Sequence, residues 1–313
     1  MTSGTPYDDA FRTLLNDCSA LILPVLNEAF GEHYDGSERI EFAPNEHFLS
    51  QRDGDAVERI TDSCFLVFSA DGAQPKRYHA EIQSTEDGKI LIRIFEYDAQ
   101  IALDSGEFKK DTLTVAFPRS ILLALRTSRN TPDQMTIRME APDGQSNSYA
   151  VPVIKVPEFS AEELFQKKLF FLLPFYLFRY EKEFDACERD AEKLQTLVAR
   201  CSAVMQKLEA LQGAGEMDEF TRHAIMDMAK EVTRHLTKKH EHVWKGVEPI
   251  MGGKILNYEA KDILNRGRAE GKLDMVIELL RAKQPLELIA KVYKFSVERI
   301  AEIGKEPGLV VQP

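Results

Sequence analysis

The stretch Tyr78-His79-Ala80-Glu81-Ile82-Gln83 constrains this chain more than any other. Read as a strand, it alternates, with His79, Glu81 and Gln83 on one face and Tyr78, Ala80 and Ile82 on the other. A second apolar run, Cys64-Phe65-Leu66-Val67-Phe68, begins two residues after Asp62. If the two runs are neighbouring strands, Asp62 and Glu81 come together. Two carboxylates held close repel each other unless a proton or a hard cation such as Mg²⁺ sits between them. A glutamate within an apolar strand is also costly to bury without a partner. The pair therefore points to a metal site built from oxygen ligands, and to metal-dependent hydrolysis.

Helical spacing predicts a helix over residues 6–30, carried by Tyr7, Phe11, Leu14, Leu15, Leu21, Ile22, Val25 and Leu26. Asp8 and Asp9 lie in its first turn, where acids suit the helix dipole. After the strands around Asp62 and Glu81, connected through Asp71-Gly72, a helix is expected over 89–105. Leu91, Phe95 and Ala102 lie on one stripe of it, Arg93, Tyr97, Gln100 and Asp104 on another, and Gly106 fits its cap. A strand at 112–117, an apolar run at 120–125 and a hairpin of 135–139 with 148–156 follow. The strand-helix-strand order from 77 to 117 favours a mixed sheet with a crossover helix. Past Pro157 almost only helical periodicity remains, opening on the capping-box pattern Ser160-Ala161-Glu162-Glu163. A boundary is expected near 157, giving an α/β core over 1–157 and a mainly helical region over 158–313. Residues 273–303 resemble a helix-turn-helix unit, with Ser296 as a helix N-cap; their apolar positions serve equally well for dimerisation or packing.

The apolar run from Leu169 to Phe178 contains Pro174 and is about half the length needed to cross a bilayer, so it predicts a buried helix segment. The first residues lack the basic start and apolar stretch of a secretory signal. Cys18, Cys64, Cys187 and Cys201 are far apart and show no metal-ligand spacing. Reduced thiols in a cytoplasmic protein are the expectation. A net charge of -11 argues against a uniformly basic nucleic-acid surface but leaves room for a local positive groove. The candidate groove is the stretch Lys230, Arg234, Lys238, Lys239 and Lys245, suited to a phosphate backbone without sequence preference. The histidines within it, His235, His240 and His242, are off the spacing of a zinc site.

Three segments together resemble a known group: Tyr7-Asp8-Asp9-Ala10-Phe11-Arg12, Arg59-Ile60-Thr61-Asp62, and His79-Ala80-Glu81-Ile82-Gln83-Ser84. In that order they are similar to the Rpn family of recombination-promoting nucleases and putative transposases, within the PD-(D/E)XK nuclease superfamily. Arg93-Ile94-Phe95-Glu96-Tyr97-Asp98 and Leu172-Leu173-Pro174-Phe175-Tyr176 extend the resemblance, which covers roughly residues 5–180.

The resemblance implies a restriction-endonuclease-like mixed sheet flanked by helices, and Mg²⁺-assisted (or Mn²⁺-assisted) hydrolysis of DNA phosphodiesters. Its motif aspartate falls on Asp62, its glutamate on Glu81 and its lysine position on Gln83. Asp9 is the nearest acid of the first helix to complete the metal site; its alternative is a plain helix-terminus acid. Thr61 replaces the motif proline. Gln83 cannot supply the cation that a lysine would, only orient water or donate to a phosphate. That role would pass to Arg93 or to the metal. Arg93 and Tyr97 contact phosphate on this view, or form a polar surface with Glu96 on the other. His79 shares the face of Glu81 without an assigned role. A homodimer would supply two active sites for a double-strand cut. The alternative is a module that binds nucleic acid or protein on a nuclease fold without cutting; the transposase label has no residue of its own to support strand transfer.

Overall fold

A capping box starts the first helix in a computed structural model that describes residues 5–42, 46–50, 56–60, 63–69, 72–85 and 88–251. The Thr5 amide donates to the Asp8 carboxylate and the Asp8 amide to the Thr5 hydroxyl, satisfying two otherwise orphaned N–H groups. The chain divides into two compact units, 1–253 and 254–313, and all described residues belong to the first. Asp62 and the helix-turn-helix-like stretch 273–303 lie outside the described residues.

The helix expected over 6–30 is interrupted. Helix α1 (Pro6–Asp17) stops where Cys18 leaves helical geometry, at φ -132° and ψ 49°. One 3-10 turn follows, and α2 (Leu23–Phe30) restarts with Pro24 in its first turn. Proline fits there because a first-turn N–H has no helical acceptor, whereas deeper in a helix it removes a bond. Gly31, at φ 65°, ends α2 in the left-handed conformation.

The strands follow in the order β1 (Arg39–Phe42), β2 (Glu46–Ser50), β3 (Ala56–Ile60), β4 (Cys64–Phe68) and β5 (Lys76–Gln83). Helix α3 (Ile90–Asp104) separates these from β6 (Glu107–Lys109), β7 (Thr112–Thr114), β8 (Arg119–Ala124), β9 (Gln134–Glu140) and β10 (Ser146–Lys155). A mixed six-stranded sheet has the order β1-β4-β5-β8-β10-β9. Strand β5 runs antiparallel to β4 and parallel to β8, and β8 runs parallel to β10. The pairs β2–β3 and β6–β7 stand apart from it. The crossover through α3 therefore lands on β8 and not on the strand expected at 112–117. Residues 121–125 are an apolar run buried on both faces, as a central parallel strand must be, while Thr112-Leu113-Thr114 is exposed.

The two faces of the sheet differ. Tyr78, Ala80 and Ile82 of β5 and Ile121 and Leu123 of β8 join the main core with Leu14 of α1 and Leu26 of α2. On the opposite face Leu122, Ala124, Val151 and Val153 pack with Ile90 and Ile94 of α3. The buried stripe of α3 is Ile90, Ile94, Asp98, Ile101 and Ala102; of the expected Leu91, Phe95 and Ala102 only Ala102 is buried, and Phe95 is exposed. Gly106 lies one residue beyond the cap of this helix, which is Ser105.

Helix α4 (Ala161–Gln166) carries the expected capping box of Ser160 and Glu163. The apolar run beyond it is buried, but as a 3-10 segment, Phe170–Glu183; Pro174 within it lacks the N–H that an α-helix would use. Helices α5 (Phe184–Arg189), α6 (Ala191–Gly213), α7 (Glu219–Leu236) and α8 (Glu241–Met251) complete the unit. The position expected as a boundary, 157, falls inside it. Phe171, Phe175 and Phe184 share one core with Phe65 and Tyr78, and each buried side chain of this size contributes roughly 1.5–3 kcal/mol. No helix among the described residues is long and apolar enough to cross a membrane.

Candidate functional site

Strand alternation sends His79, Glu81 and Gln83 to the face covered by α3, since Tyr78, Ala80 and Ile82 belong to the main core. His79 is fully buried there, while the Glu81 side chain is 14% exposed at the edge of the covered region. The β4–β5 ladder pairs Cys64 with His79, and the Ala80 amide donates to the Ser63 carbonyl. The strand that follows Asp62 is thus the direct neighbour of the strand that carries Glu81.

Glu81 is held from two sides. Arg93, in the first turns of α3, brings its Nε 3.2 Å from Glu81 Oε2. His79 Nε2 lies 3.3 Å from Glu81 Oε1. The other imidazole nitrogen, Nδ1, lies 2.7 Å from Asp98 Oδ1, and the Tyr97 ring meets the imidazole edge-on at 5.7 Å. Asp98 also accepts hydrogen bonds from Ser120 Oγ at 2.6 Å and from the Tyr149 hydroxyl at 2.7 Å. Burial works against a charge on His79, but its hydrogen bonds to Asp98 and Glu81 and the charges of both acids outweigh it, raising its pKa to about 9. Burial and the bond to Asp98 push the Tyr149 hydroxyl far up as well.

Gln83 is half-buried at the end of β5, with its carbonyl accepting from the Leu125 amide at 2.9 Å. The next residue, Ser84, is tied down by Arg126, which donates to its carbonyl and forks onto Glu181 at 2.6 and 2.7 Å. The Arg126 guanidinium also lies over the Phe178 ring, which Tyr7 of α1 meets edge-on at 5.0 Å, so the first turn of α1 packs near the ends of β5 and β8. Asp9 is in that turn and is exposed. Among the described residues no three His, Cys, Asp or Glu side chains form a metal cage.

The other candidates disperse. His240 pairs with Asp185 and His242 with Glu188, both from α5, whereas the His235 ring packs edge-on against Tyr7. Within the basic stretch, Arg234 is paired with Glu231 and Lys245 with Glu241, which reduces its positive field. Asp98, Ser120 and Tyr149 were not expected at the site. Asp98 left one sequence signal: an acid at the third place of the Ile90, Ile94, Asp98, Ile101 stripe.

No family model, curated protein or solved structure matches the chain.

Proposed function

We propose that this chain is a metal-dependent DNA endonuclease of the Rpn type, hydrolysing phosphodiester bonds. The observation that carries the proposal is Glu81: a carboxylate on a central strand of a mixed sheet, partly open to solvent, beside an arginine of the crossover helix. The sequence of α1, the antiparallel strands β1, β4 and β5, the crossover α3 and the parallel strand β8 supports a restriction-endonuclease-like fold.

The donor chemistry fits a hard divalent ion. A carboxylate offers about four acceptor positions, and His79 and Arg93 take one each on Glu81. Glu81 and Asp62, with Asp9, would hold Mg²⁺ or Mn²⁺. Bound there, the ion supplies charge compensation for the phosphodiester and acidifies a water. The Gln83 amide oxygen would orient the attacking water, and the Arg93 guanidinium would take the phosphate oxygens in place of the motif lysine. The helical region and the segment beyond it supply DNA contact or dimerisation, in a cytoplasmic protein linked to recombination or mobile elements.

One observation favours a second reading, a nucleic-acid- or protein-binding module that does not cut. Both oxygens of Glu81 already meet a nitrogen donor, so its charge is compensated without a metal. Plasmid incubated with the protein and Mg²⁺, Mn²⁺ or Ca²⁺, beside Asp62→Ala and Glu81→Ala, separates the two. Nicking with Mg²⁺ that both substitutions abolish supports the nuclease. DNA binding without cleavage, unchanged in both variants, supports the module.

A further inference from the structure

Behind Glu81, side chains from four elements converge on one buried point. His79 comes from β5, Asp98 from α3, Ser120 from β8 and Tyr149 from β10. Asp98 accepts from all three others, at 2.6 to 2.7 Å, and so is fixed at both oxygens. An ionised carboxylate accepts and does not donate, so an imidazole set between two of them turns an N–H toward each. The ring of His79 is then fixed at Nδ1 by Asp98, and Nε2 is left to address Glu81 at 3.3 Å.

Such a group is expensive to keep. His79, Asp98 and Ser120 are essentially unexposed, and Asp98 interrupts an isoleucine stripe where an apolar residue would pack without desolvation cost. A core that needed only stability would have filled the place with leucine. What the quartet adds is a hydrogen-bond donor held at a defined point behind the one carboxylate of β5 that reaches solvent.

We propose that His79, locked by Asp98, Ser120 and Tyr149, is a positioning residue that fixes the Glu81 carboxylate for metal binding. It rests on the reading of Glu81 as a metal ligand. Ligands oriented from behind by a hydrogen-bonded partner typically lose about 10–100-fold in metal affinity when that partner is removed.

The test uses the full chain and the variants His79→Gln, Asp98→Asn and the milder Tyr149→Phe, each checked for cooperative melting by circular dichroism. The first readout needs no activity: in crystals of metal-free protein, the Glu81 carboxylate should occupy one rotamer in the wild type and several in His79→Gln. The second is Mn²⁺ affinity by titration calorimetry, expected to fall about 10–100-fold, with kcat for DNA cleavage falling and KM for DNA holding. Should His79→Gln not fold, Asp98→Asn and Tyr149→Phe give the same comparison. A Glu81 carboxylate ordered in its original place, with metal affinity within about twofold of wild type, would reduce the quartet to packing. Wild-type protein that neither binds Mn²⁺ nor cuts DNA would sink the nuclease reading instead, and the order of Glu81 in the crystals would still decide the positioning role.

Discussion

Asp98 Oδ1 lies 2.7 Å from His79 Nδ1, and neither side chain reaches solvent. The pair ties a crossover helix to the strand it covers. It also makes stability depend on pH. In the fold the pKa of His79 is raised from 6.5 to about 9, because bonds to Asp98 and Glu81 overcome the cost of burial. The stabilisation is therefore fully present below about pH 6.5 and is lost as the pH rises through about 9. Urea melts in EDTA between these limits should lose a few kcal/mol in the wild type. His79→Gln should show a flatter profile over the same window; identical profiles would count against the charged imidazole.

Removing Asp98 should cost more than removing an exposed acid. Asp98→Ala leaves His79 buried without its main acceptor, and breaking such a pair from one side costs about 3–5 kcal/mol. Thermal or urea melts check this, with the exposed Asp104→Ala as the reference. A loss below about 1 kcal/mol would mean that the pair relaxes to solvent.

Arg93 should matter to activity far more than to stability. Its side chain is 35% exposed, and a pair of this kind contributes about 0–1 kcal/mol to folding. If Arg93 takes the phosphate, Arg93→Ala should lower cleavage on the order of a hundredfold, a value typical of losing one charged transition-state contact. Arg93→Lys should recover part of it. Steady-state kinetics on a labelled duplex give the comparison, and unchanged kinetics would return Arg93 to a surface role.

The cysteines should be silent in the native state. All four are free and buried, and burial pushes Cys64 to about 11 and Cys201 to about 12. Thiolate is the reactive form, so a disulfide reagent at pH 8 should label them only after denaturant is added. Fast labelling of a folded sample would show that the core around Cys64 or Cys201 opens readily.

Local signals were legible in the sequence and non-local ones were not. The alternation of Tyr78 to Gln83, the capping box at Ser160 and the helix over 90–104 depend on neighbours within a few residues. The break after Asp17 was signalled only by Pro24, a residue that also fits a first turn, so periodicity alone ran the helix through it. The crossover landed on β8 because continuous apolar strands belong in the middle of a sheet, a preference expressed only once the sheet is assembled. Glu81, Gln83 and Arg93 were legible as candidates, since strand and helix periods put them on definite faces. His79 was left without a role, and Ser120 and Tyr149 were missed. Their partner Asp98 reaches them only after β5, β8 and β10 stand side by side. Asp98 itself carries no assignment in a stripe drawn through Leu91 and Phe95, and stands out only once the stripe runs through Ile90 and Ile94.

The most direct test of Glu81 as a metal ligand is single-turnover hydrolysis of a labelled DNA duplex with excess protein and Mg²⁺, comparing wild type with Glu81→Gln. Glutamine keeps the shape of the side chain and one of its two acceptor atoms but removes its charge. A metal site predicts cleavage by the wild type, dependent on Mg²⁺ and abolished by EDTA, and a loss of at least about a thousandfold in Glu81→Gln, as for removal of a central catalytic group. Equal rates in the two proteins, or no cleavage by the wild type over a full range of Mg²⁺ and Mn²⁺, would contradict it.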